Sequence, residues 1–286
     1  MTVNRLSPVL GAEVLGLDLA EPLGDNLAGD VHQAWLEAGG LLVIRDQNLS
    51  TEQHIAFSRH FGPLFGAPGE EPLQRTVSRY LHPDHPEIYR VSNKSDGGEP
   101  MGRARAGTYW HSDVSFREHP AAASILHAIE IPTAGGDTLY ANMAAAFDAL
   151  SEPMKAMLAP LRAVHDFAQT ATTQFAKPVV VAEDLEGGNR STHPVVRTHP
   201  ETGRKCLYVN PGMTTHLEGF DPEESRAILD FLFAHSTRPE FVYRHRWHQG
   251  DVVIWDNRSL MHYAVADYGD QPRYMERTTV IGDRPA

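Results

Sequence analysis

Two segments far apart in the chain carry side chains typical of a metal site. His111 and Asp113 stand two residues apart, and His262 lies far downstream. In an extended segment, residues i and i+2 point to the same side, so we expect His111 and Asp113 to hold one metal ion together. With His262 they form a set of two imidazoles and one carboxylate. Such a set leaves coordination positions open, as non-haem Fe(II) oxygenases require for a co-substrate and O2.

Two arginines, Arg273 and Arg277, follow the last histidine of this set. A guanidinium is a planar, bidentate partner for a carboxylate, so one of them suits the far carboxylate of a bound 2-oxo acid. If the segment is a strand, the spacing of four residues places both arginines on one side, facing one pocket. The alternative is that either arginine lies at the surface in a weak ion pair.

Further segments match one enzyme family in residue type and in order. They are Leu10–Asp18, Val43–Asn48, Gly135–Thr138, Trp255–Asn257 and His262–Tyr268, together with His111–Asp113 and the two arginines. Over nearly its whole length the chain resembles the taurine dioxygenase and 2,4-dichlorophenoxyacetate dioxygenase superfamily of Fe(II)- and 2-oxoglutarate-dependent enzymes. The resemblance implies a single domain over residues 1–286, a β-rich α+β fold that is a distorted double-stranded β-helix (jelly roll) with helical insertions.

The resemblance also implies roles for particular residues. His111, Asp113 and His262 would be the catalytic Fe(II) ligands and leave three positions, two for 2-oxoglutarate and one for O2. The products would be succinate, CO2 and a hydroxylated substrate. Arg273 matches the family's arginine for the distal carboxylate of 2-oxoglutarate, and Thr138 matches the hydroxyl that assists it.

The substrate side of the site is less sharply indicated. Arg277 matches the arginine that binds the substrate anion in the taurine enzymes. Val114, Phe116 and Met213 are candidate substrate contacts, and Phe167 is a further candidate for the pocket wall. An aromatic residue or a methionine near a metal motif can equally be part of the hydrophobic core.

Two departures from the taurine enzymes bear on the substrate. The His-Pro expected shortly after Phe61–Gly62 is absent from Pro63–Pro68, and an Asn- and Asp-rich lead-in is replaced by a segment with Arg103 and Arg105. These two arginines either add positive charge beside the substrate or lie in a solvated loop. We therefore expect a small organic anion other than taurine: a sulfonate, a sulfate ester, or an aryloxy or alkyl carboxylate.

The composition excludes some functions and favours others. The chain has 286 residues, 41% hydrophobic and 22% charged, and a net charge of −12, which disfavours nucleic-acid binding. Cys206 is the single cysteine and suits a small apolar position in a strand. No apolar run resembles a signal peptide or a membrane span, so we expect a cytoplasmic protein without a membrane partner. Related enzymes imply a homo-oligomer, a dimer or a tetramer.

The residues Gly66–Gly107 form a long segment rich in Gly, Pro and charge, with one short strand predicted near Ile88–Val91. Because the segment leads into the metal motif, we interpret it as an active-site cover; the alternative is a tolerated surface insertion. His82 and His85 lie within it and are candidates for substrate contact.

Regular elements are predicted from periodicity and from end signals. A strand is predicted before the first helix, and a second loop is predicted over Phe175–His193. Asp256 and Asn257 are predicted either to support the metal ligands or to form a turn. The predicted helices are Leu27–Ala38, one from a capping box at Ser50–Gln53 to His60, Met143–Leu161 in two pieces, and one from Asp221 to His235. The predicted strands are Leu41–Arg45, Ala122–Ile131, Thr138–Ala141, Lys205–Val209, Phe241–Arg246, Val252–Trp255 and Thr278–Ile281.

Two other functions use the same three ligands. One is a zinc-dependent hydrolase with a metal-bound water, and the other is a metal-binding module without turnover. A hydrolase would need a general base that is not evident near the ligands, and it leaves Arg273 and Thr138 without a role. A module without turnover is expected to have lost a ligand, whereas all three are present.

Overall fold

The computed structural model describes residues 1–73, 80–168 and 189–286. These ranges contain five α-helices and two 3-10 helices, the latter at Arg59–Phe61 and Pro239–Phe241. The α-helices are α1 (Asp25–Glu37), α2 (Thr51–Ser58), α3 (Met143–Asp148), α4 (Glu152–Leu158) and α5 (Pro222–Ser236).

Strands make up most of the regular structure in the described ranges. They are β1 (Thr2–Arg5), β2 (Ala12–Leu15), β3 (Leu41–Ile44), β4 (Tyr89–Ser92), β5 (Ser95–Asp96), β6 (Glu99–Pro100), β7 (Ala121–Glu130), β8 (Thr138–Asn142), β9 (Arg162–Asp166), β10 (Arg190–Pro194), β11 (Val196–Thr198), β12 (Lys205–Leu207), β13 (Thr214–Leu217), β14 (Val242–His245), β15 (Val252–Asp256), β16 (Leu260–Ala264) and β17 (Tyr274–Ile281). The fold is therefore a strand-rich mixture of α and β structure.

The largest sheet has seven strands in the order β1-β2-β3-β15-β7-β17-β4. All neighbouring pairs are antiparallel except β2 and β3. A second, three-stranded sheet has the order β14-β8-β16, and three smaller sheets have the orders β10-β9-β13, β11-β12 and β5-β6.

The central strands of the seven-stranded sheet are buried on both faces, which explains their continuous apolar runs. In β15, Val253 and Trp255 point into one core cluster, whereas Val252 and Ile254 point into another. This alternation follows from the two-residue repeat of a strand. The second cluster lies under α1 and α2 and includes Trp35 of α1. The helices thus cover one face and leave the other for the site.

The other face of this sheet meets the β14-β8-β16 sheet. Tyr140 of β8 and Trp255 of β15 have ring centroids 5.8 Å apart, and both belong to one core cluster. A ring of β16, that of His262, lies 4.8 Å from the Trp255 ring. Side chains from both sheets therefore enclose the same space.

Most elements predicted from the sequence are present with small shifts at their ends. The capping box at Ser50 is formed in full, and the helix it begins ends in a 3-10 turn through Phe61. The last strand is longer than predicted and begins at Tyr274. Cys206 is buried in β12, as expected. The loop predicted over Phe175–His193 lies partly outside the described residues, and its last residues belong to β10.

Candidate metal centre and adjoining cavities

The three predicted metal ligands come together in the structure. Nε2 of His111 lies 3.7 Å from Oδ1 of Asp113, and Nε2 of His262 lies 3.8 Å from Oδ2. The candidate ligand atoms all lie within 4.8 Å of one another, and all three residues are buried. Two imidazoles and a carboxylate at these separations can hold one divalent ion and leave positions open for other ligands.

Backbone hydrogen bonds join the two histidines directly. The amide of His111 donates to the carbonyl of His262 (3.0 Å), and the amide of His262 donates to the carbonyl of His111 (2.8 Å). The imidazole Nδ1 of His111 lies 2.8 Å from the carbonyl oxygen of Tyr109, which can only accept. That bond fixes the proton on Nδ1 and leaves the lone pair of Nε2 for a metal. The backbone of Gly107 approaches the same ring so closely that a Cβ at this position would lie 2.9 Å from Cε1 of His111. A larger residue would therefore displace the imidazole.

Asp113 reaches the site by a different geometry from the one predicted. We expected an extended segment, but only His111 makes a strand-like bridge, and the chain turns from Asp113 onward. Val114 has φ of 47°. This left-handed conformation is strained for a β-branched residue. The extended segment expected for the two ligands therefore ends at Asp113, where the turn begins.

A closed ring of hydrogen bonds holds Asp113. Its amide donates to Oδ1 of Asn257 (3.0 Å), and Nδ2 of Asn257 donates to Oγ of Ser124 (3.0 Å). The Ser124 hydroxyl then donates to Oδ2 of Asp113 (2.7 Å). The indole of Trp255 also donates to Asn257 (3.2 Å). Asn257 thus supports a ligand, whereas Asp256 pairs with Arg258 and His199 outside the site.

Arg277 contacts the remaining oxygen of the Asp113 carboxylate. Its Nη1 donates to Oδ1 at 2.7 Å, and its guanidinium lies 5.0 Å from the centre of the Tyr89 ring. Burial opposes ionisation of Asp113, but Arg277 and the two histidines outweigh it and lower the pKa of the carboxyl below its ordinary value. Burial also lowers the pKa of both histidines. The site therefore presents an ionised carboxylate and neutral imidazoles, the forms that bind a metal.

Two cavities adjoin the candidate metal centre. The first, which we call the Arg273 cavity, encloses about 440 Å³ including its mouth. Its polar lining consists of Thr138, Tyr140 and Arg273 with the histidines and Arg277, and its apolar lining consists of Val91, Ala106, Gly107, Leu126, Trp255 and Ala264.

Arg273 is buried without a counter-charge. Its residue is 5% exposed, and no acidic side chain among the described residues pairs with it. Within the described part of the chain the Nε atom of Arg273 has no hydrogen-bond partner, and the guanidinium lies 5.7 Å from the centre of the Tyr268 ring. Burial lowers the pKa of this guanidinium. An unpaired cation that lines a cavity is suited to bind an anion there.

Two hydroxyl groups line the cavity beside Arg273. Oγ1 of Thr138 accepts a hydrogen bond from the indole of Trp247 (3.0 Å), so its own hydrogen can be donated to another group. The hydroxyl of Tyr140 is buried and has no hydrogen-bond partner among the residues that the structure describes. Burial, together with nearby Asp113, raises the pKa of Tyr140 well above its ordinary value. Arg273, Thr138 and Tyr140 thus present donors to one space, and no acidic side chain among the described residues lines it.

The second cavity, which we call the Phe116 cavity, encloses about 490 Å³ including its mouth. His111, Asp113 and Gly107 line it on the metal side, and Arg103 and Arg277 provide positive charge. The remaining lining is apolar or aromatic: Leu73, Tyr89, Ala106, Tyr109, Val114, Phe116, Phe167 and Met213. Arg277 borders both cavities, and it shares the Arg273 cavity with Arg273, as the four-residue spacing predicted.

Most of the other predicted pocket residues line the Phe116 cavity, and one lines neither cavity. Val114, Phe116, Met213 and Phe167 all line the Phe116 cavity. Arg103 lines it as well, whereas Arg105 is exposed and lines neither cavity.

His82 and His85 do not line either of the two cavities. Their rings lie 5.0 Å apart, and Nε2 of His85 lies 3.2 Å from a carboxylate oxygen of Glu52 on α2. They belong to the predicted cover, which does contribute other residues, such as Tyr89 and Ala106, to the walls.

Sequence reasoning missed two residues of the site. Ser124 and Tyr140 each lie in a predicted strand, where serine and tyrosine need no special explanation. Only the alternation of β8 carried a signal, since Tyr140 is two residues from Thr138 and therefore lies on the same face.

Comparisons with known proteins agree with this site. The family model for taurine catabolism dioxygenase TauD, TfdA family, matches residues 2–279. The 2,4-dichlorophenoxyacetate dioxygenase of Cupriavidus pinatubonensis is 35% identical, with 99% of this chain and 98% of the relative covered. The sulfate ester dioxygenase of Pseudomonas putida is 34% identical, covering 100% and 91%. The crystal structure of AAD-2 with Mn(II) and N-oxalylglycine superposes with a TM-score of 0.81 at 33% identity, covering 99% and 98%.

A strand-rich fold with two histidines, one carboxylate and two adjoining cavities defines a mononuclear metal oxygenase. The chain belongs to the TauD/TfdA family. It is a 2-oxoglutarate-dependent dioxygenase that uses Fe(II), 2-oxoglutarate and O2, as the sequence predicted. This finding favours the dioxygenase over both the zinc hydrolase and the module without turnover. No helix among the described residues is long and apolar enough to cross a bilayer.

Proposed function

We propose that this enzyme hydroxylates an organic anion that carries an apolar or aromatic group, at the carbon held nearest the metal. One observation carries the proposal: the metal-centre residue His111 lines two cavities that differ in chemistry, and Arg277 lines both as well. The Arg273 cavity has a buried, unpaired cation and hydroxyl donors. The Phe116 cavity has an aromatic wall and two arginines at one side.

The Arg273 cavity would bind 2-oxoglutarate. Arg273 would hold the distal carboxylate as a charge-assisted bidentate partner, and Thr138 would donate a hydrogen bond beside it. His111, Asp113 and His262 would hold the iron, since they offer the donor set that Fe(II) oxygenases use. When bound, iron, 2-oxoglutarate and O2 supply the oxidation, which yields succinate, CO2 and a hydroxylated substrate.

The Phe116 cavity would bind the substrate. Val114, Phe116 and Met213 would contact its apolar part, because they form a wall next to the metal ligands. Arg277 would bind its anionic head, although one guanidinium nitrogen is already committed to Asp113. Arg103 would share that role, since it lines the same cavity.

The apolar and aromatic lining of this cavity supports a substrate with a larger apolar group than taurine has. An apolar wall contributes free energy in proportion to the apolar area that it covers, and taurine offers little. Hydroxylation beside a sulfonate, or on the oxygen-bearing carbon of an ester or aryl ether, gives an unstable adduct. Its collapse would release sulfite, sulfate or a phenol and leave an aldehyde or ketone.

The proposal also covers the fold, the oligomeric state and the cellular location. The two facing sheets would form the jelly roll of the family, with α1–α5 as helical insertions in a single domain over residues 1–286. The enzyme would be a homo-oligomer, dimer or tetramer, and would act in the cytoplasm, in keeping with its single, buried cysteine. Light scattering of the purified protein tests the oligomeric state.

The experiment is a substrate panel with enzyme, Fe(II), ascorbate and 2-oxoglutarate. It compares taurine, longer alkyl sulfonates, alkyl sulfate esters and aryloxy carboxylates, and measures succinate together with the released fragment. We expect a larger alkyl or aryl anion to couple succinate formation to fragment release, and taurine to be poor. Taurine as the best substrate would contradict the assignment of the Phe116 cavity, and so would coupled turnover of uncharged compounds at equal rates.

A further inference from the structure

Tyr140 is a fully buried residue whose hydroxyl group has no partner in the described structure. The residue is 0% exposed and lies on β8 two positions after Thr138. It lines the Arg273 cavity with Thr138 and Arg273. A buried hydroxyl without a hydrogen bond is unfavourable, and such groups are rare in folded proteins. Its presence beside a cavity points to a partner that is a bound molecule.

Packing holds the Tyr140 ring in place. The ring lies 5.8 Å from that of Trp255 and 6.3 Å, nearly parallel, from that of the metal ligand His262. Its strand is paired on both sides, with β14 and with β16. The side chain is therefore preorganised, and ligand binding would require little reordering of it.

We propose that the Tyr140 hydroxyl donates a hydrogen bond to the distal carboxylate of 2-oxoglutarate, beside Arg273 and Thr138. This inference rests on the proposed function of the Arg273 cavity. A phenol is protonated at neutral pH and is a donor. A carboxylate can accept about four hydrogen bonds, so one guanidinium and two hydroxyl groups can all be satisfied by it. Tyr140 would thus be a further co-substrate-binding residue.

Tyr140→Phe removes this hydroxyl and leaves the ring. Tyr208→Phe is the matched control, because Tyr208 is also buried but lines neither cavity. Each variant is loaded with Fe(II) without oxygen and titrated with 2-oxoglutarate, following the metal-to-ligand charge-transfer absorption. The same titration with 2-oxopentanoate, which lacks the distal carboxylate, reports binding at the metal end alone.

We expect Tyr140→Phe to weaken 2-oxoglutarate by roughly 10- to 100-fold, as for the loss of a hydrogen bond to a charged group. Binding of 2-oxopentanoate should change by less than about threefold, and Tyr208→Phe should change neither titration. A second measurement is independent of the metal. Because the variant removes an unpaired buried hydroxyl, its thermal midpoint without ligands should equal or exceed that of the parent.

Unchanged 2-oxoglutarate affinity in Tyr140→Phe would overturn the inference, and so would equal weakening of both oxo acids. A lowered thermal midpoint of the ligand-free variant would also overturn it, because the hydroxyl would then have a partner within the protein. Failure of the proposed cavity is distinguishable, since the parent enzyme itself would then bind 2-oxoglutarate and 2-oxopentanoate equally well.

Discussion

The assignment of Arg273 predicts a large and selective loss when its guanidinium is removed. The side chain is buried and has no acidic partner among the described residues, so the distal carboxylate of 2-oxoglutarate would be its counter-charge. Truncating one member of a buried, hydrogen-bonded charge pair typically costs about 2–5 kcal/mol. We expect Arg273→Ala to lose about 3 kcal/mol of 2-oxoglutarate affinity, or roughly 100-fold, at about 1.4 kcal/mol for each factor of ten.

The assay is a cycle between two proteins and two oxo acids. The parent enzyme and Arg273→Ala are each titrated anaerobically with 2-oxoglutarate and with 2-oxopentanoate, using the charge-transfer absorption. The parent should prefer 2-oxoglutarate by roughly the factor that the variant loses, whereas Arg273→Ala should discriminate by less than about threefold. Arg273→Lys should recover part of the preference, because an ammonium keeps the charge but not the bidentate geometry.

The structure also predicts the stability of this variant. Burial lowers the pKa of Arg273, which means that the protein bears a desolvated charge when no ligand is bound. Arg273→Met, which removes the charge but keeps most of the side-chain volume, should therefore not unfold at a lower temperature than the parent in the absence of ligand, whereas Arg273→Ala also leaves a cavity. An unchanged dependence of rate on 2-oxoglutarate would refute the assignment, and so would an equal loss for both oxo acids.

Other predictions concern the metal and the substrate. Alanine at any one of the three metal ligands should abolish succinate formation while circular dichroism stays native, and near-normal turnover would disprove that ligand. Ser124→Ala should weaken Mn(II) binding roughly 10- to 100-fold by electron paramagnetic resonance, because Ser124 orients the Asp113 carboxylate. Ser58→Ala is the control, because it removes a buried hydrogen bond between two hydroxyl groups away from the metal centre. Equal Mn(II) affinities in the two variants would contradict the role of Ser124 in orienting Asp113. Arg103→Gln should raise KM for the anionic substrate about tenfold and Arg105→Gln should not; matching values would exclude Arg103 from the substrate site.

The residues of the candidate metal centre were predicted from the sequence, and the structure brings them together. The set of two histidines and one carboxylate indicates a metal site with open coordination positions. The two arginines after it narrow the possible functions to those with an anionic co-substrate or substrate. Helix ends were equally predictable, because the capping box at Ser50 and the Asp221 cap satisfy backbone groups with neighbouring side chains. The strands β3 and β15 were predicted from short, continuous apolar runs, which are typical of strands buried on both faces.

The orientation of those residues was decided by the tertiary structure. Asp113 faces the histidines through a turn with a left-handed Val114, and the side chains that hold it, Ser124 and Asn257, come from β7 and from the turn after β15. Short-range patterns carry no information on such contacts, because they join residues far apart in the chain.

Partner choice was also beyond the sequence. Arg277 was expected either to bind the substrate anion or to lie at the surface in an ion pair, yet one of its nitrogens donates to the buried Asp113 carboxylate. In the sequence Tyr140 is an ordinary strand tyrosine. Only the structure shows that its hydroxyl group lines a cavity and has no hydrogen-bond partner among the described residues. Whether a polar group is satisfied depends on what the folded chain places within about 3 Å of it. The sequence therefore determined which chemistry this protein has, and the packing of two sheets decided which atoms face it.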